Sequence, residues 1–145
     1  MNDQAVSVLL VEDNPADALL AAELLKETGV RTNITTVSDG ELAISTLEKM
    51  VGSQSGIPDL IILDINLPKK NGHEVLAFIR RAHLANTFVA IYTGSSSPED
   101  ERNAKEHGAD AYIIKPIGSK EMERTISKFR EILATKAKSV STSNR

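Results

Sequence analysis

The chain has 145 residues, 41% hydrophobic and 26% charged, with a net charge of −3. That size suits one domain around one core, and the balance is that of an ordinary globular protein. With no cysteine, disulfides and thiolate metal sites are excluded. The slight acidic excess and the lack of tryptophan argue against nucleic acid as a partner. The opening segment, MNDQAVSVLLVEDN, has no basic leader, and its apolar run is too short for a signal peptide or a membrane span. A cytoplasmic protein away from membranes is expected.

The first predicted strand is the apolar run Val6–Val11. Asn14, Pro15 and Asp17 follow as a cap, a first-position proline and a first-turn acid. They open a helix over Pro15–Thr28 with Leu19, Leu20, Leu24 and Leu25 on one face, stopped by Gly29. Ile34–Val37 is a weaker strand. Ser38 and Glu41 have capping-box spacing before a helix over Glu41–Met50, which carries Leu42, Ala43, Leu47 and Met50. The loop GSQSGIP leads to a strand at Leu60–Leu63, and Gly72–Ala82 is a helix with Val75, Leu76 and Ile79 inward. Val89–Tyr92 is the next strand. Ser97, Pro98 and Asp100 start a polar helix that ends near Gly108. A strand at Ala111–Ile114 precedes a helix over Ser119–Leu133 carrying Met122, Ile126, Phe129 and Leu133. Residues 1–135 read as one domain, and Lys136–Arg145, rich in Ser, Lys and Thr, as a disordered tail.

Strands with consecutive apolar residues need cover on both faces. Alternation of such strands with helices gives an α/β fold with a parallel, doubly wound sheet. The polar residues that end the strands fall into a pattern: Glu12 and Asp13 after the first, Asp64 after the third, Thr93 at the fourth, Lys115-Pro116 after the fifth. Open α/β sheets bind ligands outside those ends. One site with three carboxylates, a hydroxyl and an ammonium is therefore expected. Crowded carboxylates recruit a cation, and an all-oxygen set suits Mg²⁺. With Lys115 and Thr93 as donors and Asp64 as nucleophile, the set fits stabilisation of a transferring phosphoryl group.

VSVLLVEDN, LIILDINLPKKNG, VAIYTG and ADAYIIKP together resemble the receiver domain of two-component response regulators, from about Val6 to Leu133. The resemblance implies a five-stranded CheY-like sheet in order 2-1-3-4-5. It implies that Asp64 accepts phosphate from a phosphohistidine on a sensor histidine kinase. Glu12, Asp13, Asp64 and the backbone carbonyl of Asn66 would hold Mg²⁺, Lys115 would pair with Asp64 and then with the phosphoryl group, and Thr93 and Tyr112 would act as switch residues. It also implies a cis peptide bond at Lys115-Pro116. Signalling would pass through the fourth helix, fifth strand and fifth helix, a face that also offers a homodimer surface. Asn66 and Ser95, neither acid nor base, suggest a long-lived phosphoryl group. LPKKNG and the long loop before the third strand resemble single-domain regulators, some of which serve phytochrome-type kinases.

Each residue has a plainer reading when taken singly: Glu12-Asp13 as a solvated pair, Asp64 as a turn cap, Thr93 as a β-branched strand residue, Lys115 as an exposed lysine, Tyr112 as filler. His73, His83 and His107 show no metal spacing and read as surface residues, and Lys120, Arg124, Lys128 and Arg130 as a solvated or partner-facing helix side. Three functions compete. A switch acts by protein contact, on a target or a histidine phosphotransfer protein, and catalyses only its own phosphorylation and dephosphorylation. An aspartate-nucleophile phosphatase of the haloacid-dehalogenase type wants a second Asp where Asn66 stands. A pseudo-receiver binds partners without phosphate, against which the complete acidic set argues.

Overall fold

Apolar residues on consecutive strand positions demand cover on both sides, and each central strand receives it. A computed structural model describes residues 5–82, 84 and 86–143. Among them, strands and helices alternate: β1 (Val6–Val11), α1 (Pro15–Glu27), β2 (Thr32–Val37), α2 (Gly40–Ser53), β3 (Leu60–Leu63), α3 (Gly72–Arg81), β4 (Phe88–Thr93), α4 (Pro98–Glu106), β5 (Ala111–Ile114) and α5 (Ser119–Ser143). All pairings are parallel, and the order is β2-β1-β3-β4-β5, as expected.

Side chains alternate across a strand, so each strand feeds two cores. Val8 and Leu10 of β1, Leu60 and Ile62 of β3, and Ala90 and Tyr92 of β4 pack with Leu25 of α1 and with Met122, Ile126 and Phe129 of α5. Leu9, Val11, Ile61, Leu63, Val89 and Ile91 face the other way, onto Leu47 of α2, Val75, Leu76 and Ile79 of α3, and Ala104 of α4. The chain runs one way from β1 to β2 and the other way from β3 onward. The order therefore reverses between β1 and β3, where a crevice opens at the strand ends.

Several local expectations are corrected. On α1 the buried stripe is Ala21, Leu24 and Leu25, while Leu20 is on its rim and Leu19 is 64% exposed, on the opposite side. On α2, Leu42 is exposed beside the Ala43–Leu47 stripe. Leu133 lies on the inward stripe of α5 but is exposed, because it sits one turn beyond Phe129. Phe129 already meets Phe88, the first residue of β4, edge-on at 5.7 Å. The cap of α2 is Asp39, not Ser38; its Oδ1 accepts from Leu42 N–H at 2.7 Å. β2 begins at Thr32, its polar residues tolerated because it is an edge strand. The tail expected from residue 136 is helical as far as Ser143, since no glycine or proline interrupts the sequence after Ser119. Residues 144 and 145 and His83 lie outside the described residues. His107 is exposed and His73 half-buried.

Other local expectations hold. Asn14 caps α1, Ser97 caps α4, and Gly29 and Gly108 take positive φ at helix ends. Lys115-Pro116 is cis.

Candidate functional site

The polar residues at the strand ends continue the ladder. Glu12 N–H donates to Val37 O at 3.0 Å, Asp64 N–H to Val11 O at 3.1 Å, and Lys115 N–H to Thr93 O at 2.7 Å. Strand alternation therefore carries past the last apolar residue. It places Glu12, Asp64 and Lys115 with Tyr92 on the α1–α5 side, and Thr93 on the α4 side.

On the first side the Lys115 ammonium donates to Glu12 Oε1 at 2.7 Å, Asp64 Oδ2 at 2.9 Å and Asp17 Oδ2 at 3.0 Å. It also stands 4.7 Å over the Tyr92 ring. Glu12 is 2% exposed and Asp64 3%, burial that carboxylates accept only when paired. The other Glu12 oxygen accepts from Asn14 N–H at 3.0 Å, and Asp64 Oδ1 accepts from Asn66 N–H at 3.0 Å. Burial pushes Glu12 up to about 7; the Asp64 charge adds to the rise, while Lys115 and the Asn14 N–H oppose it. Burial by itself would lower Lys115, but bonds to Glu12, Asp64 and Asp17 outweigh it and hold the ammonium above its ordinary range. The Lys115 shift reflects three carboxylates around one ammonium, and the Glu12 shift chiefly its burial.

Glu12, Asp13 and Asp64 each offer an oxygen, and these lie within 4.8 Å of one another. Asp13 is the exposed member. Hard oxygen donors with an open, solvent-facing side fit a divalent cation that keeps some of its waters. Asn66 is exposed beside this group, in the turn after β3.

The turn itself is tightly built. Gly72 N–H returns to Ile65 O at 2.8 Å, and a Cβ at Gly72 would come within 2.4 Å of Asp64 O. Only glycine lets α3 start this close to the end of β3. Asn71 caps α3 with a full capping box to Glu74.

On the α4 side, Thr93 is fully buried and its Oγ1 accepts from Ser95 N–H at 3.4 Å. Ser95 Oγ donates to Asp100 Oδ2 at 2.5 Å, and Tyr112 Oη donates to Ser95 O at 3.1 Å. Tyr112 is half-buried, with its hydroxyl on the loop after Thr93.

The structure thus gathers Glu12, Asp13, Asp64 and Lys115 at one point, with Thr93 and Tyr112 on a neighbouring hydroxyl chain. Sequence reasoning missed Asp17 and Tyr92 as members of the site. The signal for Asp17 was its place on the first turn after β1, directly above the strand ends; in the sequence it reads only as a first-turn helix start signal.

The profile of the response regulator receiver domain family matches residues 8–127. Response regulator Rcp1 of Synechocystis sp. (strain ATCC 27184 / PCC 6803 / Kazusa) is 34% identical over 121 residues, 82% of each chain. The phosphorylated cyanobacterial phytochrome response regulator RcpA superposes with a TM-score of 0.69, at 32% identity over 96% of both chains. The Mn²⁺-bound form of Rcp1 superposes with a TM-score of 0.68, at 32% identity over 89% of this chain and 90% of its own.

Proposed function

The chain belongs to the response regulator receiver domain family, and on that premise we propose that it is a phosphorylation switch whose acceptor is Asp64. The observation that carries this reading is the Lys115 ammonium joining buried Asp64 to buried Glu12, inside a carboxylate group that fits a cation. Asp64 attacks the phosphorus of a phosphohistidine. The new bond joins a carboxylate oxygen to phosphorus, the phosphorus–nitrogen bond breaks, and the imidazole leaves with its electron pair. Lys115 turns from the carboxylate to a phosphoryl oxygen, a charge-assisted contact of the same kind. Thr93 donates its hydroxyl to another, giving up the contact from Ser95 N–H. Glu12, Asp13, Asp64 and the Asn66 carbonyl would hold Mg²⁺, which would offset phosphoryl charge.

The phosphate donor is a sensor histidine kinase or a histidine phosphotransfer protein. Similarity to RcpA, a cyanobacterial phytochrome response regulator, supports a phytochrome-type kinase. Output passes by protein contact through α4, β5 and α5. Exposed Ile114 on edge strand β5 supports that face, also as a homodimer surface. Asn66 and Ser95, two residues after Asp64 and Thr93, are neither acid nor base, which supports a long-lived phosphoryl group.

The test is intact-mass measurement after incubation with acetyl phosphate. One phosphoryl adduct that requires Mg²⁺ and is absent in Asp64→Asn supports the switch. No adduct with acetyl phosphate or with a phosphorylated kinase would overturn it.

A further inference from the structure

Lys115 has one partner that neither the cation nor the acceptor role uses. A lysine ammonium has three N–H donors, and Glu12, Asp64 and Asp17 each take one. Glu12 and Asp64 belong to the converging carboxylate group, whereas Asp17 does not. Cation and phosphoryl binding therefore compete for two of the three lysine partners and leave Asp17.

The position of Asp17 is fixed independently of Lys115. Its N–H donates to Asn14 Oδ1, the α1 cap, at 3.1 Å. Its carbonyl oxygen accepts from Tyr92 Oη at 2.9 Å, and Tyr92 is 1% exposed. The first turn of α1 is thus tied to the core at β4. The same Tyr92 ring lies under the ammonium. Asp17 and Tyr92 form a seat for Lys115 outside the converging carboxylate group. A lysine on a flexible four-carbon stem loses much rotamer freedom when aimed at one point. A seat that survives loading keeps that aim.

Resting on the function proposed above, we propose that Asp17 is a positioning residue. It holds the Lys115 ammonium toward Asp64 when Glu12 and Asp64 turn to the cation and the phosphoryl group. The Asp17 side chain is 36% exposed, so its truncation opens no core cavity, and the Tyr92 bond uses the backbone carbonyl.

The experiment uses the full chain with acetyl phosphate at saturating Mg²⁺, and ¹⁵N-lysine NMR of the Lys115 ammonium, assigned with Lys115→Arg. For Asp17→Ala we expect the maximal rate of adduct formation to fall about tenfold with KM for acetyl phosphate unchanged. The Lys115 ammonium signal, held by the ion pairs in wild type, should shift or broaden away. Asp17→Asn keeps an acceptor oxygen and should recover most of the rate. An Asp17→Ala rate within about twofold of wild type, a slower rate with the Lys115 signal unmoved, or Asp17→Asn as slow as Asp17→Ala would each overturn the positioning role. Absence of an adduct in wild type would instead overturn the proposed function, and this role with it.

Discussion

The two halves of the site are held in different ways. On the α1–α5 side, Lys115 makes three ion pairs of 2.7–3.0 Å, to Glu12 just after β1, Asp17 of α1 and Asp64 just after β3. On the α4 side, Ser95 is held to Asp100 at 2.5 Å, but Thr93, Ser97 and Tyr112 reach Ser95 only by longer contacts, from 3.1 to 3.4 Å, around the loop after β4. Charged groups in low dielectric are costly unless paired, so the first half is pinned from several elements. Neutral hydroxyl contacts at long range contribute little each, so Thr93 and Tyr112 can exchange partners cheaply while Ser95 stays anchored to Asp100. In the proposed switch, the fixed half receives the phosphoryl charge and the movable half reports it.

The largest effect should follow loss of the pin. Lys115→Ala leaves buried Glu12 and Asp64 without their cation. We expect urea unfolding in chelator to show a loss of about 3 kcal/mol, partly restored by Mg²⁺, and adduct formation slowed about 100-fold or more. Wild-type stability in that variant would remove the distinction between the halves.

A pH series sharpens the same half. Glu12 is raised by burial from 4.5 to about 7, so the folded state binds its proton more tightly than the unfolded chain. Its contribution to stability is fully present below about 4.5 and is lost as pH rises through about 7. Metal-free protein should show a falling urea midpoint over that window. Glu12→Gln should flatten the fall, and Mg²⁺, which competes with the proton, should reduce it. A wild-type midpoint that rises through the window in chelator would show that Glu12 is not the group held protonated.

Thr93→Ala tests the other half, with a smaller cost. The lost contact is 3.4 Å long, so we expect at most about 1 kcal/mol of destabilisation. Adduct formation should persist, while the change in Tyr112 NMR signals on beryllofluoride binding is lost. A Thr93→Ala protein that cannot form the adduct would place Thr93 in the fixed half. The smallest effect belongs to Tyr112→Phe, which removes one half-buried bond to Ser95 O. About 0.5–1 kcal/mol is expected, with unchanged adduct formation by intact mass.

The strand ends were the most legible part of the site. Glu12, Asp64, Thr93 and Lys115 interrupt or terminate apolar runs, and a parallel sheet brings such ends together regardless of loop detail. Local helix faces were less legible. Leu19, Leu42 and Leu133 are apolar at near-helical spacing, yet all three are exposed, because a helix buries only the stripe and the length that meet the sheet. Ser38 and Asp39 are both good caps, and no local rule chose between adjacent candidates.

The sequence by itself determined the alternation of strands and helices, the sheet covered on both faces, and the presence of an acidic, lysine-bearing crevice. Each of these follows from hydrophobic period and from where it stops, which are local properties of the chain. Tertiary structure alone decided that Lys115 and Asp17, 98 residues apart, share an ion pair, and that Thr93 faces away from the carboxylates it neighbours in the sheet. Those outcomes depend on strand register, on the pleat that sends alternate residues to opposite faces, and on how α1 is anchored to Tyr92. Such relations exist only once distant segments are packed together.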